Sequence, residues 1–75
     1  MPKLPRVSED RTIRALERLG FVQVRQQGSH IILKKQTQEG AVGCVVPRHK
    51  ELAVGTLRSI LKLARVDPDE FVRKL

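Results

Sequence analysis

The sequence predicts an α+β fold: a helix, three antiparallel strands, a second helix and a short third one. Three observations carry that expectation. Apolar residues recur at helical spacing in two separate stretches, Ile13, Leu16, Leu19 and Leu57, Ile60, Leu61, Ala64. Between them lie three runs rich in β-branched and apolar residues, Phe21–Arg25, Ser29–Lys35 and Ala41–Val46, parted by short segments that contain Gly28 and Gly40. Those connections are too short for parallel crossovers, so the strands form a meander in the order one, two, three.

Each element carries its own punctuation. Ser8 stands as the N-cap of the first helix, Glu9 and Asp10 put negative charge where the helix dipole favours it, and Gly20 stops the helix. Arg11, Arg14 and Arg18 fall along a second, solvated face. The segment Gln26-Gln27-Gly28 reads as a turn in which Gly28 supplies a positive φ. Gln36 to Gly40 reads as a polar loop, and Pro47 ends the third strand because it has no backbone donor to give the ladder. A charged connector, Arg48-His49-Lys50-Glu51, leads to the second helix, from about Val54 to Arg65, with Arg58, Lys62 and Arg65 on its polar side. Asp67-Pro68-Asp69-Glu70 then fits a new helix start, with Asp67 as N-cap, Pro68 at the first position and Glu70 set to close a capping box. Phe71 and Leu75 are available to dock that helix. Residues 1–75 are expected to form one domain, with 1–7 as a leader and 67–75 as a C-terminal extension.

Composition bounds the function. A chain of 75 residues, 40% of them apolar, supports one small core that hides about 60% of the surface the unfolded chain exposes. The single Cys44 excludes an internal disulfide and reads as a small core residue, and no Cys/His cluster has metal-ligand spacing, so neither metal nor cofactor is expected. No apolar run is long enough to cross a bilayer, and Met1–Pro5 lacks the apolar stretch of a signal peptide, so a cytoplasmic location is expected. Fifteen Lys and Arg against eight Asp and Glu leave a net charge of +7. Such a field draws polyanions, nucleic acid first and acidic proteins second. With Phe21 and Phe71 as the only aromatics, base stacking is poorly supplied and phosphate contact is favoured. Both phenylalanines read as packing residues.

The stretch with chemical promise is Gly28-Ser29-His30, which sets an imidazole at the start of a strand. Histidine titrates near neutrality and so both takes and gives protons there. Along the second strand, Ile31 and Leu33 share one face while His30, Ile32 and Lys34 share the other. The purer apolar set belongs against the helices, which leaves His30 and Lys34 on an open face, joined by Arg25 from the first strand. A proton carrier among cations suits a phosphodiester. On residue type alone His30 reads more readily as a structural polar residue. Gly28 serves the turn first and close approach of a phosphate second, and Ser29 bonds either the turn or a phosphate oxygen. His49 reads as a surface residue or a phosphate contact.

Four stretches taken together resemble the HicA/YcfA family of small toxins. They are Gly20-Phe21 opening the first strand, Arg25-Gln26-Gln27-Gly28-Ser29-His30 across the hairpin, Val46-Pro47-Arg48-His49 after the third strand, and Gly55-Thr56-Leu57-Arg58-Ser59-Ile60-Leu61 on the second helix. The resemblance runs from about Ser8 to Val66. It implies a fold like that of double-stranded-RNA-binding domains, an mRNA-cleaving activity that blocks translation, and an antitoxin partner of the HicB type covering the active site. The family's catalytic histidine, in its Gly-Ser-His motif, maps onto His30. RNA supplies its own nucleophile, so a metal-independent endoribonuclease need only move protons and stabilise charge on phosphorus. His30 is then the expected acid–base group, with Arg25, Gly28, Ser29, Lys34 and Arg48 as expected RNA contacts. The alternatives are a non-catalytic double-stranded-RNA-binding module, which would not need a histidine on an open face, and a basic adaptor for an acidic protein.

Overall fold

The computed structural model describes residues 4–75, and the first part of the leader, residues 1–3, lies outside the described residues. The elements follow the expected order: α1 Glu9–Arg18, β1 Val22–Gln27, β2 His30–Thr37, β3 Gly40–Pro47, α2 Val54–Ala64 and α3 Pro68–Arg73. Ser8 caps α1 by accepting the Arg11 N–H on its hydroxyl at 3.2 Å. Past Leu19, Gly20 takes a φ of +104°, a conformation open to glycine, and turns the chain into Phe21.

The strands form an antiparallel sheet in the order β1-β2-β3, and both hairpins are tighter than the sequence suggested. Gln26 and Gln27 are not turn residues; they extend β1, opposite Ile31 and His30. The turn is Gly28-Ser29, with Gly28 alone at positive φ, +59°, the pattern of a type II′ turn whose twist suits a hairpin. The Gln26 side-chain amide donates to the Gly28 carbonyl at 3.1 Å and braces it. Gln36 and Thr37 likewise extend β2, and Gln38-Glu39 alone turns the chain into β3. There the Thr37 hydroxyl donates to the Gly40 carbonyl at 2.6 Å and accepts from the Glu39 N–H at 3.2 Å. Polar side chains do not end a strand when they stand in solvent, because the ladder satisfies the backbone whatever the side chain.

Both long helices cover the same face of the sheet and lie over β3. The core joins Ile31, Leu33, Cys44 and Val46 from the sheet to Leu16, Leu57, Leu61 and Phe71 from the helices. Phe21 and Phe71 are both buried, as packing residues should be. Burial pushes the Cys44 thiol up to about 11, the behaviour of a core residue rather than a nucleophile. By contrast β1 is exposed along its whole length, and a bulge at Val24, between Gln23 and Arg25, blunts this free edge.

Two stretches differ from expectation at the chain ends. From the leader, Leu4 and Val7 are buried in the core, and the Val7 carbonyl accepts the Leu52 N–H at 2.8 Å. At the other end α2 stops at Ala64, and Arg65 takes the left-handed conformation that ends it. Pro68 opens α3 behind Asp67, whose carboxylate accepts the Asp69 N–H at 2.8 Å rather than the Glu70 amide that a capping box would use. Phe71 is wholly buried, and Arg18 donates to the Lys74 carbonyl at 2.6 Å, which ties α3 to α1. Among the described residues no helix is long and apolar enough to cross a membrane.

Candidate active site

Strand alternation divides β2 into two sets. Ile31 and Leu33 are buried under the helices, while His30 and Lys34 are exposed on the uncovered face, with Ile32 half-buried between them. Register carries that face across the sheet. His30 lies opposite Gln27 on β1 and Pro47 on β3, Ile32 opposite Arg25 and Val45, and Lys34 opposite Val22 and Gly43. His30 and Lys34 therefore share one open surface, as the alternation predicted, and the bulge at Val24 brings Arg25, opposite Ile32, onto it. Val22, Ile32 and Val45 give it an apolar floor, and Val22 and Val45 are exposed there.

Gly43 is a feature the sequence reading passed over. It is paired with Lys34, and a Cβ at this position would stand 3.5 Å from the Lys34 Cγ and 3.3 Å from the Leu33 carbonyl oxygen. A glycine inside a strand marks close approach, and here the backbone carbonyl of Leu33 approaches most closely, with the Lys34 stem in van der Waals contact beside it. The next residue shows the opposite outcome. Lys35 turns to the covered side, with its ammonium 5.9 Å from the centre of the Phe21 ring. It lines a cavity of about 210 Å³ near the Thr37 end of β2, with Leu19, Phe21 and Val66, at the far end of the strand from His30.

The remaining predicted contacts gather where β2 begins. Gly28 and Ser29 form the turn immediately before His30, and the Ser29 carbonyl accepts the Arg48 N–H at 2.7 Å. Pro47 ends β3 opposite His30, so Arg48 extends the contact one residue past the ladder. The Arg48 side chain, however, does not join the open face freely. Its Nε meets the Glu9 carboxylate at 3.4 Å, and the Glu9 side chain is only 15% exposed. His49 is exposed, and its carbonyl accepts the Glu9 N–H at 3.3 Å. The first turn of α1 thus closes on the same end of the sheet, an approach absent from the sequence reading of Glu9 as a dipole residue.

An exposed imidazole among cations, on a sheet backed by two helices, defines a small basic α+β protein. Residues 10–66 match the model of a family described as the HicA toxin of bacterial toxin–antitoxin systems. That is most of the chain, and the protein belongs to this family. Its membership implies an antitoxin as partner. No curated protein matches the chain.

Proposed function

We propose that the protein is a metal-independent endoribonuclease toxin that cuts mRNA and so stops translation. The observation that supports this most is the position of His30, exposed on the open face with Arg25 and Lys34, in a HicA-family chain. In this reading the ribose 2′-oxygen attacks the adjacent phosphorus while His30 takes its proton. The bond from phosphorus to the 5′-oxygen breaks, and that oxygen leaves with a proton from the imidazolium or from water. The product ends are a 2′,3′-cyclic phosphate and a 5′-hydroxyl. Arg25 and Lys34 balance the charge that builds on the phosphoryl oxygens. Gly28 and Ser29 let the backbone of the turn come close to the strand being cut, and Arg48 adds a cation at the same end. The cytoplasm, where messages are translated, is the compartment this activity requires.

The experiment is cleavage of a fluorogenic RNA by purified protein, with EDTA present throughout. Cutting is expected for RNA and absent for an all-DNA strand of the same sequence, because only RNA carries the nucleophile. Cleavage of DNA, or full inhibition by EDTA, overturns the mechanism. RNA that is bound and never cut would instead mark a binding module.

The partner is a HicB-type antitoxin that covers His30. A surface of net charge +7 suits an acidic protein, with long-range attraction speeding encounter and contacts around the histidine slowing release. Hydrogen exchange on the complex should show new protection along β2 and the Gly28-Ser29 turn. Protection confined to residues 67–75 would defeat occlusion.

A further inference from the structure

We propose that Glu9 is a positioning residue of the His30 site, acting through Arg48; this rests on the nucleolytic reading above. Three contacts join the first turn of α1 to the start of β2. The Glu9 Oε1 holds the Arg48 Nε at 3.4 Å, the Glu9 N–H donates to the His49 carbonyl at 3.3 Å, and the Arg48 N–H donates to the Ser29 carbonyl at 2.7 Å. Ser29 is the residue before His30. The chain of contacts therefore runs from a helix N-terminus to the backbone that carries the imidazole.

Glu9 is placed unlike an ordinary dipole residue. Asp10, next to it in the first turn, is exposed and meets the helix dipole from solvent. The Glu9 carboxylate is turned inward, and its second oxygen, Oε2, is buried with no hydrogen-bond partner among the described residues. Leaving a carboxylate oxygen unpaired and out of water is unfavourable. What the residue gains by that orientation is the guanidinium. With Nε held, the planar fork of Arg48 is fixed in direction, while half of the side chain stays exposed. Its outer edge is then free to grip a phosphate with two parallel donors, at the end of the sheet where His30 stands. Arg48 is the group that touches the phosphate, and Glu9 aims it.

The test compares Glu9→Asp, Glu9→Gln, Asp10→Asn and Arg48→Ala for RNA cleavage and for binding of an uncleavable 2′-O-methyl RNA oligonucleotide. Glu9→Asp keeps the charge at the helix start but is one methylene too short to hold Nε. It is expected to weaken binding of the oligonucleotide and raise KM about tenfold with kcat less changed, while Asp10→Asn behaves as the parent. Glu9→Asp combined with Arg48→Ala should cleave no more slowly than Arg48→Ala alone, since Glu9 acts only through the arginine. Glu9→Gln, which keeps the length and an acceptor oxygen, should recover part of the rate. Parental activity in Glu9→Asp, an equal loss in Asp10→Asn, or losses from Glu9→Asp and Arg48→Ala that multiply would each overturn the proposal. Should His30→Ala cut like the parent, the histidine mechanism fails by itself. The binding arm then decides Glu9: equal weakening by Arg48→Ala and Glu9→Asp supports it, and unchanged binding by Glu9→Asp overturns it.

Discussion

The two faces of β2 differ by a shift of one residue and do opposite work. Ile31 and Leu33 lie at 6% exposure or less beneath the helices, while His30 and Lys34, their neighbours in sequence, stand in solvent. The covered set joins Cys44 and Val46 in the core and carries stability. The open set stands with Arg25 and presents the positive charge and the imidazole to solvent. The adjacent lysines make the same point, because Lys34 lies over Gly43 on the open face and Lys35 over Phe21 on the covered side. A strand keeps these tasks apart without any extra chain, since successive side chains point to opposite faces. Substitutions on the two faces should therefore separate activity from folding.

The largest separation is expected at His30. His30→Ala should lower RNA cleavage by about 10²- to 10⁴-fold, the usual worth of a positioned acid–base group, and should abolish growth arrest. Its melting temperature should match the parent's, because the side chain is exposed. Equal toxicity at equal protein level would remove the histidine from the mechanism. One position away from that face, Leu33→Ala should cost about 2–5 kcal/mol in urea denaturation, since this leucine is wholly buried. Its activity should return whenever low temperature restores the fold.

How far these faces could be read from sequence depends on the feature. Alternation along Ile31, Ile32 and Leu33 was legible because apolar residues flank it on both helices and only one face needs cover. The strand ends at Gln26-Gln27 and Gln36-Thr37 were not, because glutamine and threonine carry weak turn signals and the backbone ladder decided the matter. The bulge at Val24 leaves no mark in composition. The Glu9–Arg48 contact was invisible for another reason. It joins residues 39 positions apart, and an acidic residue in the first turn of a helix has an adequate local explanation. The burial of Leu4 and Val7 was equally invisible: neither has periodic neighbours, and Val7 bridges to Leu52, far along the chain.

Cys44 sharpens the covered side of the comparison. The thiol's folded value, about 11, lies above its ordinary value of 9.0, so the native state favours the protonated form. That contribution, about 3 kcal/mol by linkage, is full below pH 9.0 and is lost as pH rises through about 11. The stability gap between the parent and Cys44→Ala should therefore narrow over that window. A gap that stays constant would show that the thiol does not titrate with folding. On the open side, Arg25→Glu and Lys34→Glu should each weaken RNA binding about tenfold at low salt and flatten its salt dependence. Arg14→Glu, on the exposed side of α1, should do neither, and equal effects at all three positions would mean the whole surface binds.

The smallest effect is expected at the turns that hold the register. Gly28 takes a φ of +59° and Gly40 a φ of +118°, and at both positions a Cβ would meet no atom within 4 Å. The cost of a side chain is therefore conformational at each. The first central position of a type II′ turn is one that an L-residue adopts poorly, so Gly28→Ala should lose about 1 kcal/mol or more. At +118° the backbone also lies outside the left-handed well, and Gly40→Ala should lose stability to a similar degree. Activity should tell the two apart, with the larger loss at Gly28. Gly28 is two residues from His30, and its turn accepts the Arg48 N–H through Ser29, whereas Gly40 lies by the far turn beside Thr37. Urea denaturation and RNA cleavage, measured on both variants, separate the stability cost from the loss of activity. If Gly40→Ala loses more activity per folded molecule than Gly28→Ala, the site extends to the far end of the sheet and the division of labour drawn along β2 is wrong.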